Sequence, residues 1–385
     1  MPVTALARTA VAGIGRTAFT RKSGRTTLAM AVEAARAALD DAGLAARDVD
    51  GIIGYGINDT AMAQDVAFAM GTDGPLSYAQ DIFGGGNIAA AIPPMAASAI
   101  QTGSADVVVV FRSMNGRSGK RFGQLGGAGI DGPMQFNVPH GYAVATQFAA
   151  MWARRHQETY GSTSEDLGAI AITQRTHASA NEHAIAREPL DLPTYLASRW
   201  ITEPLRIYDC AYEADGAVAL VITALERARD LRQPPVLIGT SVDAYGPGSS
   251  WDQWHDMTRM WSSHAAPRFW SKTGLSPTDV DVACIYDCYT YTVMTVLEDF
   301  GFYPKGQAGE FFRGGHATYG GEVVVNPHGG LLSEGYLHGL NHPYEAVLQL
   351  RGQAGARQVS GARTALVTGG AGPYGGAVLY TADER

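Results

Sequence analysis

Residues 107–111 read Val-Val-Val-Val-Phe, an apolar run with no polar alternation. A half-exposed strand would alternate, so this pattern predicts a strand of a parallel sheet covered on both faces. Upstream, Val11 to Ile14 opens as a shorter strand, and Thr27 is placed to cap a helix whose Leu28, Val32, Ala35 and Leu39 fall on one face. Gly43 ends that helix. Asp48 to Gly54 reads as a turn into a short buried strand. A helix over Met62 to Met70 follows, and after Gly84-Gly85-Gly86 an Ala-rich helix over Ile88 to Gln101. From about Met114 to Arg206 the pattern gives way to Gly, polar and aromatic residues, with helices near Tyr142 to His156 and Ser164 to His177; this reads as an insertion that carries specificity.

The same order of polar and apolar positions occurs twice. Residues 43–55 (Gly-Leu-Ala-Ala-Arg-Asp-Val-Asp-Gly-Ile-Ile-Gly-Tyr) align without gaps on residues 274–286 (Gly-Leu-Ser-Pro-Thr-Asp-Val-Asp-Val-Ala-Cys-Ile-Tyr), with six identities at an offset of 231. Each copy follows a helix and leads into a Gly-rich loop, a helix and an apolar strand, Val107 to Phe111 in one case and Thr364 to Thr368 in the other. The chain is therefore expected to be α/β, with two duplicated halves. Residues 1–240 form the first, including an insertion at about 114–206, and residues 241–385 the second. Two parallel-type sheets with crossover helices place ligands at the carboxyl ends of strands, where the halves meet.

Composition narrows the class. Of 385 residues, 46% are hydrophobic and only 17% charged, enough to bury a large core. A formal charge of −8 lacks the basic footprint of a duplex nucleic-acid binder. Met1 to Thr20 has no long apolar segment of the signal-peptide kind, and no apolar run approaches the roughly 18 residues of a membrane span. No membrane association and a cytoplasmic location are expected. The three cysteines, Cys210, Cys284 and Cys288, are too few for a disulfide framework and read as buried thiols in a reducing compartment. Two local concentrations remain. The basic run Arg112 to Arg121 suits a phosphorylated ligand, and Trp251, Trp254, Trp261 and Trp270 suit a pocket for a polycyclic substrate, a core or a subunit interface, with Trp261 the interface candidate.

Candidate chemistry concentrates in residues 326–342, where three histidines and one tyrosine stand among turn-forming glycines. The composition suits an active site, and equally a tight loop leading into a helix over Pro343 to Arg351. His338 and His342 have helical metal-ligand spacing, but no third ligand is placed beside them, so no metal is expected. Two glycine runs imitate nucleotide-binding fingerprints. Gly13-Ile14-Gly15 does not open a helix and Gly370-Ala371-Gly372 precedes a strand, so neither predicts a dinucleotide site; the second reads as bent backbone lining a pocket.

Several motifs, in the right order, resemble the thiolase superfamily: Asp215-Gly216-Ala217 before an apolar strand, Tyr286-Asp287-Cys288-Tyr289 after one, Gly329-Gly330 followed by Gly335, and a terminal Gly-rich turn ahead of Ala377 to Tyr380. The nearer likeness is to the lipid-transfer-protein branch, whose sterol-carrier thiolases have His-Asp-Cys-Phe where this chain has Tyr-Asp-Cys-Tyr. The resemblance implies duplicated βαβαβαββ halves in a five-layered α-β-α-β-α sandwich.

The departures redirect the chemistry. Where thiolases carry the nucleophilic cysteine this chain reads Phe83-Gly84-Gly85-Gly86, and their second cysteine is absent from Thr368 to Tyr374. A thioester-forming step needs an activated nucleophile, which Phe83 cannot supply. The Gly-His-Pro histidine matches Tyr336, and the oxyanion-positioning residue of the second half matches Tyr286. The run from Gly329 to His342 resembles the actinobacterial steroid side-chain aldolases. That likeness implies retro-aldol cleavage of a β-hydroxy acyl-CoA, with a steroid ketone and a short acyl-CoA such as propionyl-CoA as products. It also implies no cofactor, a homodimer, and a partner protein with an OB-fold and zinc ribbon (domain of unknown function family 35). Tyr286 and Tyr336 would share the proton transfers with His338 in support, and Phe83, Gly84, Gly370 and Gly372 would lie along the bound substrate. A tyrosine, at about 10, titrates nearer to an alcohol than a carboxylate does, and hydrogen bonds are expected to lower it further. The rival readings are a thiolase-like acyltransferase and a non-catalytic acyl-CoA-binding scaffold.

Overall fold

The computed structural model describes residues 8–119, 121, 132–246, 248 and 250–384; residues 1–7 of the N-terminal segment and Lys120 of the basic run lie outside the described residues. The first half runs β1 (Thr9–Arg16), α1 (Thr27–Ala42), β2 (Gly51–Gly56), α2 (Ala63–Met70), β3 (Tyr78–Phe83), α3 (Ile92–Gln101) and β4 (Val107–Asn115). The insertion, with α4 (Ala145–Tyr160) and α5 (Ser164–Ser179), then precedes β5 (Asp215–Ala224). The second half repeats the order as β6 (Val236–Tyr245), α6 (Ser262–Thr273), β7 (Val282–Cys284), α7 (Thr290–Phe300), β8 (Val324–Val325), α8 (Asn341–Leu350), β9 (Thr364–Ala371) and β10 (Tyr374–Ala382). The duplicated βαβαβαββ order is thus present, with the second half opening at Val236.

Pairing gives β8-β7-β9-β10-β6-β1-β5-β4-β2-β3, the same strand order read outward from the middle in both directions. The expectation of parallel-type sheets needs correction. β2 lies parallel to β3 and β4, but β5 is antiparallel to β4 and β1, and the second half does the same. The last strand of each half arrives without a crossover helix directly before it, so it need not run parallel. The halves join where β1 meets β6 at Ala10 with Leu237 and Val11 with Val236.

Three apolar clusters account for five layers. α1 and α2 cover the outer face of the first half with Ala35, Leu39, Val66 and Met70 against Val107, Val109 and Phe111. α3 and α8 form the middle layer, where Ile92, Ala346 and Val347 share one cluster with Val108, Val110, Val367 and Val378 from both halves. α6 and α7 cover the outer face of the second half, and α4 and α5 of the insertion extend that cluster.

Local chemistry explains the repeat. Gly43 and Gly274 end α1 and α6 in the left-handed region, at φ 76° and 67°. Asp48 and Asp279 each accept a backbone N–H three residues back, from Ala45 and Ser276. Asp50 accepts from the N–H groups of Asp106 and Val107, and Asp281 from those of Arg363 and Thr364, so each carboxylate pins the start of the next parallel strand. Thr26 rather than Thr27 caps α1, its hydroxyl accepting from Ala29 N–H. The Ala-rich helix starts at Ile92, four residues later than its composition suggests. The first fingerprint-like run lies within β1, where a Cβ on Gly13 or Gly15 would come within 2.1 Å of an α1 carbonyl; both glycines let helix and strand pack closely. Among the described residues, no helix is long and apolar enough to cross a membrane.

Candidate active site

The chain leaves β7 through Ile285, whose N–H and C=O are both held by the Asn326 side chain at 2.8 and 2.9 Å. Tyr286 N–H donates to Thr368 Oγ1 at 2.9 Å, anchoring the next residue on β9. Asp287 accepts from the N–H groups of Leu331 and Leu332 at 2.9 and 3.1 Å. This carboxylate ties the strand end bearing Tyr286 to the loop that leads to Tyr336. Tyr336 N–H in turn donates to Tyr212 C=O. The two phenols, 50 residues apart in the chain, meet at 2.9 Å between hydroxyl oxygens.

They sit in the wall of a cavity of about 620 Å³, which Gly86, Arg117, Arg199, Trp251, Tyr289 and Ala371 also help to line. A Cβ on Gly86 would lie 1.8 Å from the Tyr286 hydroxyl. Tyr286 thus occupies the space that a side chain at the head of the Ala-rich segment would need, and the glycine and the tyrosine require each other.

Burial pushes both phenols well above their usual range, and the expectation of lowered values is not met. Against burial, the charge of Arg112 favours ionised Tyr336. His338, at φ 52°, lies beside Tyr336 with ring centroids 5.2 Å apart. Arg112 directs Nε and Nη2 at His338 Nδ1, at 3.1 and 2.9 Å. An acceptor at Nδ1 puts the proton on Nε2, and burial followed by the Arg112 charge keeps the ring neutral.

Arg112 was not legible as a site residue. It is fully buried in β4, held by Asp59 at 2.7 Å and by Ser113 C=O, whereas Arg117 and Arg121 of the same basic run line the cavity. The missed signal was one guanidinium directly after an all-apolar run, since a charge inside such a strand needs a buried partner.

The remaining expected residues scatter. Phe83 is 74% exposed. Gly84 packs against Ile88, and Gly370 and Gly372 shape the turn between β9 and β10 at φ 100° and 65°. None of these four lines the cavity; Gly86, Ala371 and Tyr374 do. Cys210 and Cys288 are cavity-lining and half-buried rather than core thiols, and only Cys284 is fully buried. Of the tryptophans, Trp251 lines the cavity, and Trp261 is buried against Phe300, so it is a core residue and not an interface one.

Residues 247–380 match the thiolase C-terminal domain-like family. The chain is 41% identical over 389 residues to the 17-hydroxy-3-oxo-4-pregnene-20-carboxyl-CoA lyase of Mycobacterium tuberculosis, covering 96% of this chain and 98% of that protein. It is 39% identical to the steroid side-chain-cleaving aldolase of Thermomonospora curvata, covering 96% and 97%. The solved structure of the Ltp2-ChsH2(DUF35) aldolase superposes with a TM-score of 0.93 at 37% identity, over 99% of this chain and 100% of that one. The chain belongs to the thiolase superfamily, in the branch that contains the steroid side-chain-cleaving aldolases.

Proposed function

We propose that this protein is a carbon–carbon lyase that cleaves a β-hydroxy acyl-CoA, of steroid type, by a retro-aldol reaction, giving a ketone and a short acyl-CoA. The observation that carries this reading is the Tyr286–Tyr336 hydroxyl pair, set where a thiolase nucleophile is missing. Retro-aldol cleavage moves one proton from the β-hydroxyl to the α-carbon and involves no net redox change, so its balance calls for no cofactor. Phenols pushed this far up in pKa are poor stores of charge but good relay members. The substrate hydroxyl gives its proton to Tyr336 as Tyr336 passes its own to Tyr286, and Tyr286 protonates the α-carbon as the carbon–carbon bond breaks. Each phenol ends as it began. Tyr336 is placed at the hydroxyl end because the Arg112 charge favours negative charge there. His338, held neutral by burial and then by the Arg112 charge, supports Tyr336.

The cavity suits the substrate class. Its volume lies within the roughly 300–1,000 Å³ of small-molecule sites, and Ile201, Ile207 and Trp251 offer apolar wall to a polycyclic group. Arg117, Arg121 and Arg199 gather on it in a chain of formal charge −8, the distribution that CoA phosphates require. Arg121 is paired with Glu213, which leaves Arg117 and Arg199 as the principal phosphate ligands. Three unpaired cysteines suit a cytoplasmic enzyme. The likeness to an aldolase solved with a DUF35 protein supports an OB-fold partner, and the homodimer stays part of the proposal.

The test is to mix the purified protein, with and without an OB-fold partner, with a β-hydroxy acyl-CoA and follow ketone release without free CoA. Release is expected. Strict dependence on free CoA would instead indicate thiolysis, and binding without product a scaffold.

A further inference from the structure

Behind the tyrosine pair lies a second group of chemistry-bearing side chains that the reaction does not use. Cys284 ends β7, His328 stands in the loop after β8, and His342 lies in the first turn of α8. One potential ligand atom from each falls within 4.8 Å of the other two, and all three residues are fully buried. Neither ring nitrogen of His328, and neither of His342, has a hydrogen-bond partner among the described residues. Four unsatisfied polar atoms in one dry place are costly, because each lost its water on folding.

The surroundings have the character of a cation site. His342 Nε2 stands 3.3 Å from Asp287 Oδ1 without hydrogen-bond alignment, and His328 Nε2 stands 3.9 Å from Glu334 Oε2. In metal sites a carboxylate near a ligating imidazole orients it through the other ring nitrogen, and Asp287 and Glu334 stand close enough to His342 and His328 for a small shift to make that contact. Asp287 and Glu334 are themselves buried, so two carboxylates lie beside the cluster, with Arg16 bound to the second. The His338–His342 spacing suggested by the sequence is not used: His338 is engaged by Arg112, and His342 packs on His328 with ring centroids 5.1 Å apart.

We propose that Cys284, His328 and His342 bind one divalent cation of the zinc class, clamping the strand end that carries Tyr286 to the loop that carries Tyr336. Cysteine and two histidines are a borderline-soft set that suits zinc over magnesium or calcium. Tetrahedral ligands at zinc–nitrogen and zinc–sulfur distances sit about 3.5 Å apart, so binding draws these three together by roughly 1 Å. Asp287 already accepts two backbone N–H groups, which leaves the fourth position to water. The ion is structural, lies outside the proton relay, and is proposed independently of the retro-aldol reading.

Chelator-treated full-length protein is to be titrated with Co²⁺ and its visible and near-ultraviolet spectrum recorded. Uptake of about one ion per chain is expected, with tetrahedral d–d bands and a thiolate-to-cobalt charge-transfer band. The band should survive in a Cys210→Ser/Cys288→Ser double variant, and uptake should fall below about a tenth of an ion per chain in His328→Gln. If Cys284→Ser folds, it should lack the band; if it does not fold, the double variant still decides, because Cys284 is then the sole thiol. No cobalt uptake by the wild-type chain, or a d–d spectrum without thiolate charge transfer, would overturn the proposal and leave ordered water to bridge the four nitrogens.

Discussion

Tyr55 and Tyr286 stand at the same place in the two copies of the repeat, each at the end of a buried strand, and do different work. Tyr55 donates its hydroxyl to the backbone carbonyl of His338 at 3.2 Å, while Tyr286 shares a hydrogen bond with the Tyr336 hydroxyl in a cavity wall. The identical frame sets where a strand end arrives. What faces it sets the chemistry: Tyr55 meets a carbonyl that only accepts, and Tyr286 meets a second phenol that both donates and accepts. The first half therefore contributes support, through Tyr55, Asp59 and Arg112, and room, through Gly86. The second half contributes the two phenols of the proton relay and His338.

That division makes testable predictions. The largest effect belongs to the phenol pair. Tyr336→Phe or Tyr286→Phe should lower kcat by about 10³-fold in steady-state ketone release, whereas Tyr55→Phe should cost less than about tenfold. Wild-type turnover in a folded Tyr336→Phe protein would end the assignment.

Acid should next separate the halves. Although burial opposes it, Arg16 first and then His328 and the Asn341 hydrogen bond hold Glu334 down to about 2, and burial holds His328 down to about 3. Both values lie below the unfolded ones. His328 therefore withdraws stability as pH falls from about 6.5 towards 3, and Glu334 from about 4.5 towards 2, on the order of 3 kcal/mol each. Denaturant unfolding between pH 7 and 4 should show stability falling, and Glu334→Gln with His328→Gln should flatten the profile.

Refilling the nucleophile position should then fail instructively. Gly86→Cys must displace Tyr286, and a misplacement of about 1 Å costs on the order of 100-fold in kcat; the variant should gain no thiolysis. A Gly86→Cys protein that cleaves β-keto acyl-CoA with free CoA would show that the two chemistries can share the site. The smallest effect is expected at the cavity arginines, where Arg117→Ala or Arg199→Ala should raise KM about tenfold, leave kcat nearly unchanged and weaken the salt dependence of kcat/KM.

The candidate site was partly legible. Tyr286 could be found because the repeat ends on it, and Tyr336 because it replaces a motif histidine at the end of a glycine-rich loop. Arg112 was read with its whole run as suited to a phosphorylated ligand, since a basic run says nothing about which of its members faces inward. Cys284, His328 and His342 lie 44 and 14 residues apart in sequence order, counted from their numbers, and no spacing rule joins them.

The sequence by itself determined the duplicated order of elements, the helix stops at Gly43 and Gly274, the strand-pinning aspartates, and the absence of a nucleophile at Phe83 to Gly86. These are local matters of backbone conformation, periodicity and residue chemistry, and a linear reading reaches them. Only the tertiary structure decided that the sheets are mixed, that Tyr286 fills the space above Gly86, that Arg112 sets the proton on His338, and that two phenols 50 residues apart come within 2.9 Å. Each of these depends on packing and desolvation between segments remote in the chain, and burial, which moves the pKa values most, does not exist until those segments meet.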